Sequence, residues 1–108
     1  MYKYFKDSEI KGLKPELVEM LDKAREIAGI PFIITSGFRT PEHSTYVGGF
    51  ANDPHTTGSA VDLKLKNKND RFLIINSWIK AGGNRFGDEV DHVHLDIDKT
   101  KEQNFCWR

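Results

Sequence analysis

Asp62 and His94 each lie in a short segment of alternating residues, on the side away from the apolar ones. From Ala60 to Lys66, Val61, Leu63 and Leu65 point one way, while Ala60, Asp62, Lys64 and Lys66 point the other. From Val90 to Ile97, Asp91, Val93, Leu95 and Ile97 share the face opposite His92, His94 and Asp96. His55 lies in the loop before the first segment, seven residues ahead of Asp62. Two imidazoles and one carboxylate form a metal-ligand set that leaves a fourth tetrahedral position open, which suits hydrolysis, whereas a structural zinc site is closed by a fourth protein ligand. A metal held this way acidifies a water and polarises a carbonyl. Aspartate is disfavoured in strands, so Asp62 midway along one asks for a compensating cation. Alternation alone does not separate His94 from His92, which shares its face. Asp96, two residues on, is either the hydrogen-bond partner that orients a ligand imidazole or an ordinary edge charge.

The elements that must position these residues follow from pattern. Pro15 to Ala28 predicts a helix: proline suits its first position, Leu17, Leu21, Ala24 and Ala28 form one stripe, and Gly29 supplies the stop. Pro31 to Thr35 is short, apolar and β-branched, which predicts a buried strand. Thr40-Pro41-Glu42 reads as the cap and first turn of a short helix to about Val47, ended by Gly48-Gly49. Residues 50–58 read as a loop. A second long helix is expected from about Asn69 to Ala81, with Phe72, Ile75 and Ile79 inward and Gly82-Gly83 as terminator. Tyr46 and Trp78 are expected in the core or a pocket wall. Because the connections over residues 36–60 and 82–90 read as irregular, the pattern favours an α+β fold over a parallel sheet. Helices would pack on one side of a small, mainly antiparallel sheet.

Bulk properties narrow the function. The 108 residues fit a single domain, 1–108, with a modest core. Sixteen basic and sixteen acidic residues cancel to zero net charge, without the basic excess of a nucleic-acid-binding domain. No apolar run is long enough to span a membrane, so neither nucleic acid nor membrane is an expected partner. The single cysteine, Cys106, excludes an internal disulfide and multi-cysteine zinc modules, and is read as inert. The stretch from Met1 to Lys11 lacks the apolar centre of a secretory signal.

Ser36-Gly37-Phe38-Arg39-Thr40-Pro41-Glu42-His43, followed by Val47-Gly48-Gly49, resembles the zinc D-Ala-D-Ala carboxypeptidase and L-alanyl-D-glutamate endopeptidase family. The run from His55 to Asp62 is similar to that family's H-x-x-G-x-A-x-D signature, and Asp91-His92-Val93-His94 to its closing acid-x-x-His element. The likeness runs in order from about Tyr4 to Asp98. It implies a Hedgehog/DD-peptidase-like fold and zinc held by His55, Asp62 and His94, so that it selects His94 over His92. It implies a catalytic carboxylate at Asp91, with Glu89 as substitute if the strand starts later. It also implies an arginine, Arg39, that assists the substrate carbonyl and the tetrahedral intermediate. His43 recurs in the motif and receives no chemistry. Asp53 stands where the family usually has Ser, putting a carboxylate beside the metal, which bears on substrate preference.

The expected activity is hydrolysis of an amide in peptidoglycan stem peptides, as an endolysin-like L-alanyl-D-glutamate endopeptidase. Such a monomer would be made in the cytoplasm and act on the cell wall. The alternatives are a D-Ala-D-Ala carboxypeptidase, a non-catalytic zinc- or wall-binding module of a virion, and a purely structural metal site.

Overall fold

The fold is that of a computed structural model, described for residues 2–38 and 54–108. Helix α1 spans Pro15–Ala28, with proline in its first turn, and stops at Gly29, whose φ of 71° suits a residue without a Cβ. Leu17, Val18, Leu21 and Ala24 are its buried stripe. Strand β1 is Ile34–Ser36, and a short 3-10 turn at Pro54–Thr57 leads into β2, Ala60–Lys64. Helix α2 is Asp70–Lys80, followed by β3 (Arg85–Asp88), β4 (His92–Asp96) and β5 (Phe105–Trp107). The five strands form one sheet in the order β1-β2-β4-β3-β5. Every neighbouring pair is antiparallel except β3 with β5. The result is the α+β architecture with a mainly antiparallel sheet that the pattern predicts. No helix among the described residues is long and apolar enough to cross a membrane.

The sheet has two faces of opposite character, and the pairing of β2 with β4 sets both. Val61 stands opposite Leu95 and Leu63 opposite Val93, and all four are fully buried against the helices. The intervening pairs are Ala60 with Asp96, Asp62 with His94 and Lys64 with His92, on the other face. Alternation therefore sends one set of side chains into a core with Leu17, Leu21, Phe32, Ile74 and Trp78, and gathers the polar set on the opposite side.

Three sequence expectations change. The strand predicted at Pro31 to Thr35 is displaced to Ile34–Ser36, where Ile34 pairs with Leu63 and Ser36 with Asp62, so that Thr35 is an extra residue in the ladder. The segment expected to be irregular between 82 and 90 contains β3. Its Arg, Gly and Asp are poor strand formers, and each owes its place to a specific tertiary partner.

The third change is the rotation of α2. Phe72 and Ile79 are exposed, and the buried residues are Asp70, Ile74, Ser77 and Trp78. Two of these four are polar, which hides the true stripe from a hydrophobicity pattern. The Ser77 hydroxyl donates to the Ile74 carbonyl at 3.0 Å, and Asp70 accepts the backbone N–H groups of Lys66 and Asn67, each at 3.0 Å. Trp78 fixes the phase. Its indole N–H donates to the Arg85 carbonyl at 2.9 Å, and its ring lies against Gly83, where an added Cβ would meet it at 2.2 Å. The short helix expected from Thr40 to Val47, the Gly48-Gly49 stop and Tyr46 lie outside the described residues.

Trp78 therefore anchors the helix layer to the sheet. Trp78→Ala is predicted to lower the free energy of unfolding by about 3–5 kcal/mol, measured by urea denaturation. A loss of under about 1 kcal/mol would contradict its place at the centre of the core.

Candidate metal centre

His55, Asp62 and His94 converge on the polar face, with one ligand-type atom from each lying within 4.8 Å of the others. Asp62 and His94 are direct cross-strand partners, a relation that holds Cβ atoms about 4.5–5.5 Å apart. Asp62 Oδ1 is 3.0 Å from His94 Nδ1 and 3.4 Å from His55 Nε2. Two ligand atoms on a tetrahedral zinc with bonds of about 2.0–2.1 Å stand about 3.3 Å apart, so these separations fit such an ion.

His55 is placed by the 3-10 turn and by the strand next door. Its Nδ1 is 2.8 Å from the Gly37 carbonyl, just after the irregular end of β1. A carbonyl can only accept, so Nδ1 carries the proton and Nε2 is the nitrogen turned toward Asp62. Gly58 lets the chain turn from His55 into β2. Its φ is 72°, a Cβ there would meet the Gly12 carbonyl oxygen at 2.3 Å, and its own carbonyl accepts from Lys14 N–H at 2.9 Å. The glycine between His55 and Asp62 thus serves both a backbone conformation and a close approach.

His94 is held from the other side. Its Nε2 is 2.8 Å from Asp96 Oδ2, so it donates there, and Nδ1 is the nitrogen directed at Asp62. Asp96 is fully buried, and its other oxygen accepts from Arg85 Nε at 2.6 Å and from the Asp98 backbone N–H at 3.1 Å. Of the two sequence readings, the structure selects the hydrogen-bond partner of His94. An edge charge is ruled out, because β4 is the central strand. Carboxylate–imidazole pairs of this kind fix the tautomer and the ring of a metal-binding histidine.

Burial works against charge here, and the hydrogen bonds overcome it. It pushes the Asp62 carboxyl up, but His55 and His94 together bring it well below the usual carboxylate range. Burial likewise opposes a charged His94, yet the hydrogen bonds and charges of Asp62 and Asp96 hold its imidazole up to about 9. Asp96 is lowered against its own burial by His94 and Arg85. Without metal the centre is thus an imidazolium clamped between two carboxylates, and a cation bound there would take the place of its Nδ1 proton.

Asp91 immediately precedes β4 and is almost fully exposed, its side chain 87% accessible. It accepts from His92 Nδ1 at 2.7 Å, and this bond holds its carboxyl below the ordinary value. His92 Nε2 in turn is 3.9 Å from Asp62 Oδ1, so His92 stands between Asp91 and the three converging groups. Asp91 and His92 also line a cleft of about 400 Å³ with Thr35, Lys64 and Leu65. Glu89, the substitute candidate, is engaged elsewhere, accepting from the Trp107 indole N–H at 2.9 Å. Arg39, His43 and Asp53 lie outside the described residues.

Sequence reasoning missed the support on the far side of His94. Arg85 and Trp107 lie in segments too short or too polar to read as strands, and no spacing connects them to the histidines. Arg71 lies on the second predicted helix, but no spacing in the sequence ties it to the turn before Asp91. From α2 it bonds the Asp88 carboxylate and the Glu89 and Val90 carbonyls, the last at 3.0 Å, clamping the turn that leads to Asp91.

In metal-free protein, His94 binds its proton more tightly folded, at about 9, than at its ordinary value of 6.5. The stability this adds is present in full below pH 6.5 and is lost as pH rises through about 9. Urea midpoints in chelator, taken as wild type minus His94→Gln, are predicted to shrink across that window. A difference that grows with pH would contradict the arrangement.

No curated protein matches the chain. Among solved structures it is similar to the crystal structure of Serratia marcescens L-Ala D-Glu endopeptidase ChiX, with a TM-score of 0.71 and 18% sequence identity over 91% of this chain and 90% of that one. At that identity the likeness establishes the fold. A sequence model of the family described as Peptidase M15 matches residues 4–96, most of the chain, including His55, Asp62 and His94. The chain belongs to the peptidase M15 family.

Proposed function

We propose that this chain is a zinc-dependent peptidase that cleaves stem peptides of bacterial peptidoglycan at the L-alanyl-D-glutamate bond. One observation carries the metal reading: Asp62 Oδ1, His55 Nε2 and His94 Nδ1 converge while the opposite nitrogen of each imidazole is committed to a neighbouring oxygen. That donor set is three protein ligands of the types zinc takes in hydrolytic sites. The peptidase family supports the reaction class, and the fold shared with an L-Ala D-Glu endopeptidase supports the bond.

His55, Asp62 and His94 hold the ion, and their paired partners keep the rings from turning. Zinc bound there supplies a Lewis acid and an acidified water. Asp91 is the general base. Its bond to His92 holds the carboxyl below the ordinary value, it borders a cleft with His92, and its exposure leaves the side chain free to turn toward the reacting water. Its carboxylate would take the proton from the attacking water and return it to the leaving amine. Catalytic hydrogen bonds often tighten only when substrate is bound, which accommodates the outward pose of Asp91. Arg39 stabilises the oxygen that gains charge as the carbonyl is attacked, its planar fork suited to that oxygen.

Product analysis on purified wall fragments tests the reading. New amino termini on glutamate are expected with zinc present and absent after chelation. Release of free D-alanine would assign the chain to carboxypeptidase action instead. Asp91→Ala is predicted to lower turnover by at least about a hundredfold while zinc content is retained. Unchanged turnover would remove Asp91 from the mechanism.

A further inference from the structure

The row of residues that carries Asp62 and His94 continues across the whole sheet. Ser36 pairs with Asp62, Asp62 with His94, His94 with Gly87, and Gly87 with Trp107. Cross-strand neighbours share a face, so Gly87 leaves a gap in this row between the histidine and the tryptophan. The Trp107 indole fills it. A Cβ at Gly87 would meet that ring at 2.5 Å, and the ring centroid lies 5.1 Å from the centroid of His94 at a tilt of 50°. The indole N–H is anchored on Glu89, and the Arg85 guanidinium, which also holds Asp96, lies 5.5 Å from the ring. Among the described residues, His94 meets Asp62 and Asp96 at its two nitrogens, the His55 ring at 5.1 Å and the Trp107 ring.

We propose that Trp107 is a positioning residue of the metal centre, laid over the bare Gly87 so that its indole fixes the His94 ring with Nδ1 aimed at the ion. The inference rests on the zinc reading above. Two hydrogen bonds in the plane of an imidazole resist rotation within that plane but leave tipping of the ring opposed only by packing. Trp107 supplies that packing on the side away from β2. β5, the short parallel strand at the sheet edge, is in this account a working part of the site.

Zinc affinity, measured by competition with a chelating dye, tests this on folded protein, with the urea midpoint of each metal-free variant reporting its fold. Trp107→Ala is expected to bind zinc about 10–100-fold more weakly, as removal of a ligand's supporting partner does. Trp107→Phe keeps a ring over His94 and is expected to recover most of that loss. Gly87→Ala retains Trp107 but displaces it, and is expected to weaken binding as Trp107→Ala does. Zinc should also change the tryptophan emission of the wild type but not of Trp107→Phe, because Trp78 is buried in the core on the other face. If wild type binds zinc and both Trp107→Ala and Gly87→Ala bind it equally well, the positioning role is wrong. If wild type itself binds no zinc, it is the metal reading that fails. Should Trp107→Ala not fold, Gly87→Ala and the emission change decide.

Discussion

The register of β2 against β4 is the constraint on which the rest of the structure depends. With Val61 opposite Leu95 and Leu63 opposite Val93, the apolar pairs face the helices and Asp62 must face His94. A slip by one residue would turn every side chain of β2 to the wrong face, burying Asp62 in the core and exposing Val61 and Leu63. The hydrophobic core and the candidate metal centre are thus two consequences of one pairing. Burial of the apolar face stabilises that register strongly enough to hold a carboxylate and an imidazole together before any cation arrives.

What surrounds the pair turns proximity into a usable site. Asp96 and Arg85 form a buried ion pair directly behind His94, and such a pair persists only where further hydrogen bonds satisfy its remaining atoms. They do: Asp96 also accepts from the Asp98 backbone, and Arg85 donates to the Glu102 carbonyl. The chain of contacts from Glu102 through Arg85, Asp96 and His94 to Asp62 links the loop after β4 to the centre. Without metal, positive and negative groups alternate along it, which is why His94 carries a proton to unusually high pH. A bound cation would take the place of that proton and keep the alternation. Among the described residues, Asp91 stands apart from this network and is joined to it through His92, as suits the general base proposed for it.

Much of this was legible in the sequence because it is local. Alternation within β2 and β4 assigns faces to Asp62, His94 and the four core residues, and Pro15 with Gly29 brackets α1. The motif from His55 to Asp62 is likewise local: a tight turn, a glycine with positive φ and the first residues of a strand. What stayed hidden depends on partners distant in sequence. Asp70 and Ser77 bury polar groups on bonds that hydropathy does not register, so α2 was rotated. β3 and β5 are strands because Arg85 finds Asp96, and Trp107 finds the bare backbone of Gly87 and the ring of His94 across the sheet. The sequence places His92 and His94 on one face without ranking them. The structure separates them, with His94 against Asp62 and Asp96 and His92 against Asp91.

Anomalous diffraction from a crystal grown with zinc tests the central claim most directly. The account predicts one strong peak on the polar face of the sheet, about 2.0–2.2 Å from His55 Nε2, an Asp62 carboxylate oxygen and His94 Nδ1, with no fourth protein ligand. A peak bound through His94 Nε2, or through His92 in place of His94, or closed by a fourth side chain, would contradict it.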